Sequence, residues 1–292
     1  MTQIQKKKHG RSLIAGVNAL FREIETNKGE AAILKDVYAG YFAERGGLVG
    51  ILNMARFVIP PLNRILHSLQ TVHNIRHCAI DHCVLEAYNQ GCRQFVILGA
   101  GYDMRPFRFP QIRNDASSLW VELDNPATAE RKMQLFENIP DVDIQCQIKR
   151  IQVRFEDRSL KHLLEEAEVR EEEAICFILE GIIHYQSEED FQNMCADMLT
   201  GQFQREIVLS FITPKTVERA GKWQRQLLTW VKEIPKLFFT PHALKEHFQE
   251  YNCDFFQHWN YNEQVASFAP HAKERPVRQS QDVAHIARRV LP

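Results

Sequence analysis

The chain lacks any C-x-x-C pair among its seven cysteines (Cys78, Cys83, Cys92, Cys146, Cys176, Cys195 and Cys253), and their number is odd. A disulfide framework is therefore not indicated. Several of them sit in apolar segments, as the reduced, buried thiols of a cytoplasmic protein do. No close cluster of Cys and His reads as a ligand set, so no metal is expected. Long runs of one charge are also missing. The formal net charge is −1 with acids and bases interspersed, which gives no general attraction to nucleic acid or to an anionic lipid surface. The most apolar region, residues 48–69, contains Arg56, Pro60, Pro61 and Arg64, which argues against a membrane span. The start, Gln5-Lys6-Lys7-Lys8 and then Ser12 to Val17, has the outline of a secretory signal. Asn18 and Arg22-Glu23-Ile24-Glu25 cut its apolar run short, so it reads as an amphipathic first helix.

What is present is a chain of 292 residues, 45% of them hydrophobic, long enough to bury a sizeable core as one domain. Residues 1–90 read as a helical N-terminal cap. Apolar residues recur at helical spacing over 31–44 and 75–88, and the intervening region 48–69 is broken at Pro60-Pro61. From residue 91 the pattern changes. Short β-branched runs at 94–98, 119–123, 143–155, 174–179 and 207–211 alternate with helical stretches at 128–138, 160–166 and 188–199. That alternation implies βαβ units and a mostly parallel sheet. Residues 253–259 and 283–290 supply two further strands. Residues 214–237 form a helical insertion rich in Trp and Leu (Trp223, Leu227, Leu228, Trp230), read as ordinary helix packing or as a lid over a substrate. A helix follows over 241–251 with Thr240 as its N-cap.

The chemistry concentrates at three strand ends. The first strand runs into Gly99-Ala100-Gly101 and then the beginning of a helix. Glycines there let the backbone turn tightly and come close to a ligand. About twenty residues on, the second strand ends in Asp124, where a nucleotide-like cofactor presents its ribose hydroxyls. Asp124 also reads as the cap of the helix opening at Asn125-Pro126. Met104 stands where a dinucleotide site has its third glycine, and Asp103 and Arg105 do not suit a pyrophosphate. An adenosine bearing a sulfonium and an amino-acid tail fits better. The fourth strand ends in Glu180-Gly181, an acid positioned to meet a cationic part of that tail or to form a structural salt bridge.

These residues resemble the leucine carboxyl methyltransferase family. The run Gln94 to Arg108 is similar to its Q-x-V-x-L-G-A-G-x-D-T-R-x-x-R signature. Val121-Glu122-Leu123-Asp124-Asn125-Pro126 resembles E-V-D-x-P, with Lys132 matching a lysine that follows, and Leu179 to Tyr185 resembles A-E-G-L-L-x-Y-L. Upstream, Asp36-Val37-Tyr38-Ala39 resembles D-P-Y-A, and Arg76 to Asp81 resembles R-T-x-x-x-D. The similarity spans roughly residues 30–290. The resemblance implies an α/β, class I (Rossmann-like) methyltransferase fold with a seven-stranded, mostly parallel sheet and S-adenosyl-L-methionine as cofactor. It implies that Gly99, Ala100 and Gly101 shape the methionine side of the site, that Asp124 holds the ribose, that Arg76 pairs with the cofactor carboxylate, and that Glu180 and Gly181 lie near its amino group. The family's Asp-Leu pair beside adenine aligns with Arg154-Phe155. The aspartate is missing there, which leaves Phe155 to flank the ring and Glu156 or Asp157 to accept from the adenine amino group.

Methyl transfer is an in-line displacement, so the protein must align the attacking oxygen and exclude water. A carboxylate acceptor is already ionised near neutrality, whereas a hydroxyl profits from a general base. His184 and Tyr185, just beyond the fourth strand, are the candidates for that role, with His184 pointing into the helix layer as the alternative. His242 is a weaker one. The resemblance implies O-methylation of a small-molecule carboxylate or hydroxyl, of polyketide type, and the apolar residues 48–69 and the Trp-rich insertion are the expected acceptor pocket. A protein C-terminal carboxyl methyltransferase, a non-catalytic S-adenosylmethionine-binding protein and a nucleotide-dependent oxidoreductase are the alternatives. Oligomeric state is not legible.

Overall fold

The computed structural model describes residues 13–46, 50–51, 53–54, 58–154, 157–218, 235–272 and 281–289. Seven strands form one sheet: β1 (Gln94–Leu98), β2 (Leu119–Asp124), β3 (Gln147–Gln152), β4 (Ile175–Leu179), β5 (Arg205–Phe211), β6 (Phe255–Trp259) and β7 (Asp282–Arg288). Their order is β3-β2-β1-β4-β5-β7-β6. The β3 to β5 set is parallel, whereas β7 runs antiparallel to both β5 and β6. The chain leaves β1 towards β2 on one side and later returns to place β4 on the other. This reversal opens a crevice at the carboxyl ends of β1 and β4, where open α/β sheets bind ligands.

Alternating side chains divide between two faces. Val96, Leu98, Phe177 and Leu179 join the core beneath the helices Leu160–Glu166, Glu188–Met198 and Pro241–Gln249. Phe95, Ile97, Cys176 and Ile178 meet Ala79, Ile80, Cys83, Val84 and Ala87 of the long helix Pro60–Asn89. The central strands β1 and β4 are buried along their whole length. The edge strand β3 instead carries Lys149 and Arg150, which discourage edge-to-edge pairing. All seven cysteines are free, six of them buried and Cys78 half-buried. Burial pushes the Cys78 and Cys92 thiols up to about 12, which leaves them protonated and unreactive.

Most elements fall within a few residues of the sequence expectation, and the differences have identifiable causes. Pro60 and Pro61 begin a helix instead of breaking one. At the first turn the missing N–H has no intrahelical acceptor to lose, and the helix then runs for 30 residues. The polar stretch Gln70, Thr71, His73 and Asn74 is buried and helical, although it interrupts the apolar period. The helix expected over 31–44 is reduced to one short turn, Ala39–Phe42, after the 3-10 turn Gly29–Ala31. Side chains capture the backbone in between: Asp36 N donates to Thr26 Oγ1 (2.8 Å) and Tyr38 N to Asp36 Oδ1 (3.1 Å). The helix Tyr261–Phe268 was not anticipated, although Asn260 and Glu263 form its capping box. Thr240 caps Pro241–Gln249 as expected. Of the insertion, the short helix Pro214–Glu218 is described; Trp223, Leu227, Leu228 and Trp230 lie outside the described residues.

Lys132, 2% exposed, ties the parts together. Its ammonium donates to Asp103 O and to Glu122 Oε2, both at 2.7 Å, and Arg150 adds a second contact to that carboxylate at 3.1 Å. Lys132→Ala leaves Glu122 buried with one partner fewer. It should lower unfolding stability by about 2–3 kcal/mol, seen as an earlier urea midpoint with an unchanged m-value. A loss below about 0.5 kcal/mol would show that Arg150 alone satisfies Glu122.

Candidate active site

The loop after β1 is sutured to the end of β2. Gly99 N and Ala100 N both donate to Leu123 O, at 2.8 and 3.1 Å, and Gly101 N donates to Asp124 Oδ2 at 2.5 Å. Gly99 and Gly101 have φ of +68° and +50°, a region that L side chains rarely enter. A Cβ at Gly99 would also stand 2.6 Å from Ile182 Cγ2 of the loop after β4. Glycine thus serves the turn and the close approach of two loops across the crevice. Only one turn of helix follows, Arg105–Arg108.

That cavity, of about 220 Å³, is bounded by Gly99, Ala100, Gly101, Asp124, Glu180 and Gly181 from the strand ends. His73, Arg76 and His77 of the long helix form another wall, and Tyr185 lies at its edge. Ile14, Ala15, Asn18 and Arg22 of the helix Leu13–Thr26 also line it. Seven residues expected to meet the cofactor (Arg76, Gly99, Ala100, Gly101, Asp124, Glu180 and Gly181) therefore share one cavity.

Asp124 does not cap the following helix. Asn125 does, its side chain accepting from Thr128 N at 3.0 Å. Asp124 Oδ1 instead accepts from Asn125 N (2.7 Å) and Nδ2 (3.1 Å). Burial raises its carboxyl pKa despite the backbone donors of Asn125 and Gly101. Glu180 is the opposite case. Arg76 Nε and Nη2 donate to its Oε1 at 3.2 and 3.1 Å, and Arg105 Nη2 donates to Oε2 at 2.7 Å. His77 Nδ1 lies 2.9 Å from Oε2. Burial alone would raise this carboxyl, but His77, Arg105 and Arg76 outweigh it and hold Glu180 well below the usual range. His77 itself is pushed down by burial and Arg105. Its Nδ1 also lies 3.0 Å from Arg105 Nη2, and its Nε2 lies 3.1 Å from Arg108 Nη2.

Further ion pairs extend this centre. Arg105 and Arg108 both bind Asp81, each at 2.7 Å, and Arg105 also pairs with Asp103. Arg22 binds Asp36 at 2.8 Å and donates to Tyr102 O at 2.7 Å. The upstream motif residues Asp36, Arg76 and Asp81 thus converge with those after β1 and β4. Arg22 and His73 escaped the sequence reading. For His73 the available signal was its spacing from Arg76 and His77, three and four residues on, which shares one helix face.

His73, His77 and Glu180 also have ligand atoms close enough together to hold a metal ion. The sequence reading does not find this cluster, because Glu180 is about a hundred residues from the two histidines. The atoms concerned are already engaged by Arg76 and Arg105, whose charges oppose a cation, so the donor set fits an ion poorly.

The remaining candidates lie elsewhere. His184 is 2% exposed and outside the cavity lining; its Nδ1 has no hydrogen-bond partner among the described residues. Burial and Arg76 push its pKa down to about 3, so the ring is neutral and weakly basic. Arg154 is half-buried and does not line the cavity. Phe155 and Glu156 lie outside the described residues. Asp157 lines a second cavity of about 470 Å³ with Leu98, Ser159, Gln186 and Asp190. His242 forms an exposed pair with Glu246.

Comparison with known proteins identifies the family and the fold. The profile of the leucine carboxyl methyltransferase family matches residues 15–199. A Mycobacteroides abscessus protein, whose name describes an S-adenosyl-L-methionine-dependent methyltransferase, is 30% identical over 117 residues. The match covers 39% of this chain and 35% of that relative, so the chain spans about a third of its length. A DUF574 family protein from Streptomyces avermitilis superposes with a TM-score of 0.63 at 12% identity, over 96% of this chain and 98% of the other. A protein from Thermobifida fusca, described as a methyltransferase, gives 0.59 at 13% identity, over 97% of each chain. The chain has the class I methyltransferase fold and belongs to the leucine carboxyl methyltransferase family, whose cofactor is S-adenosyl-L-methionine.

Proposed function

We propose that the protein is an S-adenosylmethionine-dependent O-methyltransferase acting on a small molecule, and that the acceptor oxygen belongs to a carboxylate. The observation that carries the cofactor assignment is the meeting of Gly99, Gly101, Asp124, Arg76 and Glu180 in one cavity at the reversal of strand order. Asp124 accepts from the ribose hydroxyls, Arg76 meets the carboxylate of the methionine part, and Glu180 lies near its amino group. The cofactor supplies an electrophilic methyl group on its sulfonium. The chain's residues hold that group in line with the acceptor and keep water out.

The charge states favour a carboxylate acceptor over a hydroxyl. An alcohol profits from a base of suitable pKa, yet His184 is held near 3 and His77 is tied to Glu180 and Arg108. A carboxylate is ionised without help. The helix Leu13–Thr26 covering the cavity suits a small acceptor. The adenine amino group is assigned to Asp157, which follows β3 and accepts from it.

Calorimetry with S-adenosylhomocysteine tests the site. Micromolar binding is expected for the unaltered protein. Asp124→Ala should weaken it about 10- to 100-fold, the worth of hydrogen bonds to a buried charge. Undiminished binding by the variant would remove Asp124 from the site. Asp157→Ala should weaken S-adenosylhomocysteine and adenosine by similar factors, and an unchanged affinity for both would place adenine elsewhere.

The same titration carries a pH signature. Asp124 accepts ribose hydroxyls best when ionised, and its pKa is raised above 3.8. Affinity should therefore be complete above the raised pKa and fall as pH drops through it, at a higher pH than an ordinary aspartate would give. Asp124→Asn should abolish this step. A step persisting in that variant would assign the titration to another group.

A further inference from the structure

Arg76 is short of donors for a carboxylate. A guanidinium has five N–H groups and cannot accept. Nε donates to Glu180 Oε1 (3.2 Å), while Nη2 donates to Glu180 Oε1 (3.1 Å) and to His73 Nδ1 (3.0 Å). Nη1 donates to Gln281 Oε1 at 2.6 Å. One N–H, on Nη1, remains without a partner among the described residues. A carboxylate held in a fixed orientation takes two donors, so a second must come from a neighbour.

His73 stands one turn before Arg76 on the same helix, is 6% exposed and lines the same cavity. Because Arg76 only donates, His73 Nδ1 must carry its lone pair. The neutral ring then bears its proton on Nε2. Burial and the neighbouring Arg76 hold His73 well below its usual pKa, with Arg22 and His77 adding to this and Glu180 opposing it. Nε2 is buried without a hydrogen-bond partner among the described residues. The Phe21 ring of the covering helix lies 6.1 Å away and the His77 ring 6.0 Å. An unsatisfied buried N–H is costly, and this one belongs to a residue that lines the cavity beside the remaining N–H of Arg76.

We propose that His73 donates its Nε2–H to the α-carboxylate of the bound cofactor, beside the remaining Nη1–H of Arg76. Two successive turns of one helix then share the anion, and Arg76 keeps its bonds to Glu180. The assignment rests on the cofactor site proposed above. It makes His73 a neutral donor in every step, never the base.

The test compares S-adenosylhomocysteine with methylthioadenosine, which keeps the nucleoside and lacks the amino-acid tail. Both are titrated calorimetrically into the unaltered protein, His73→Leu and His73→Gln. His73→Leu should weaken S-adenosylhomocysteine about tenfold or more and leave methylthioadenosine unchanged. The Gln amide, which places an N–H close to the position of Nε2, should restore most of the loss. In the unaltered protein, imidazole ¹⁵N spectra should show His73 protonated at Nε2, with its proton resonance moving downfield on addition of S-adenosylhomocysteine but not of methylthioadenosine. This readout holds even if His73→Leu fails to fold. Equal weakening of both ligands, unaltered binding by His73→Leu, or a proton on Nδ1 would overturn the proposal. Failure of the unaltered protein to bind S-adenosylhomocysteine at all would instead overturn the cofactor-site reading beneath it.

Discussion

The buried carboxylate of Glu180 is the constraint around which the site is arranged. At the end of a fully buried strand, an ionised acid is tolerable only if its oxygens are satisfied. Arg76 and His77 come from the long helix, and Arg105 comes from the turn after the glycine loop. Those partners bring their own requirements: Arg105 and Arg108 draw in Asp81, and Arg105 draws in Asp103. Through Arg22 and Asp36 the network reaches the first helix, which covers the cavity. Four guanidiniums therefore face four carboxylates, drawn from elements far apart in the chain. A balanced buried network of this kind contributes little net stability compared with apolar packing, but it specifies how the helical cap sits on the sheet.

The two acids at the strand ends take opposite protonation behaviour from their surroundings. Glu180 is surrounded by cations and stays ionised. Asp124 is held against backbone N–H groups, with no cation in hydrogen-bond contact among the described residues, and its pKa rises. The first is built to hold charge in place, and the second is disposed to accept from a neutral diol. The histidines differ likewise. His77 is consumed by the network, His73 keeps one edge of its ring unused, and His184 is neutral behind the cavity wall. Among the described residues the cavity is thus rich in hydrogen-bond donors.

The strands and the glycine loop were legible because their causes are local. A short β-branched run that ends in glycine reports its own burial and its own turn, and Gly99, Gly101 and Asp124 fall where that pattern places them. The helix Pro60–Asn89 was read in two pieces because its middle turn is polar. Gln70, His73, Asn74 and Arg76 face other polar groups inside the protein, so the apolar period that reveals a buried face is absent there. The short segment around Asp36 was read as helix because its apolar spacing is helical, whereas Thr26 and the Asp36 side chain take the backbone bonds instead.

By itself the sequence determined the alternating α/β order, the cofactor loop, the acids that end β2 and β4, and the motifs that mark the family. All of these depend on residues near one another in the chain. Tertiary structure alone decided that Asn125 and not Asp124 caps its helix, that His184 lies outside the cavity, and that Arg22 and His73 line it. It alone set arginines against the ring nitrogens of His73 and His77 as well. Charge state and hydrogen-bond direction depend on neighbours brought from distant segments, and a linear pattern carries no record of who those neighbours are.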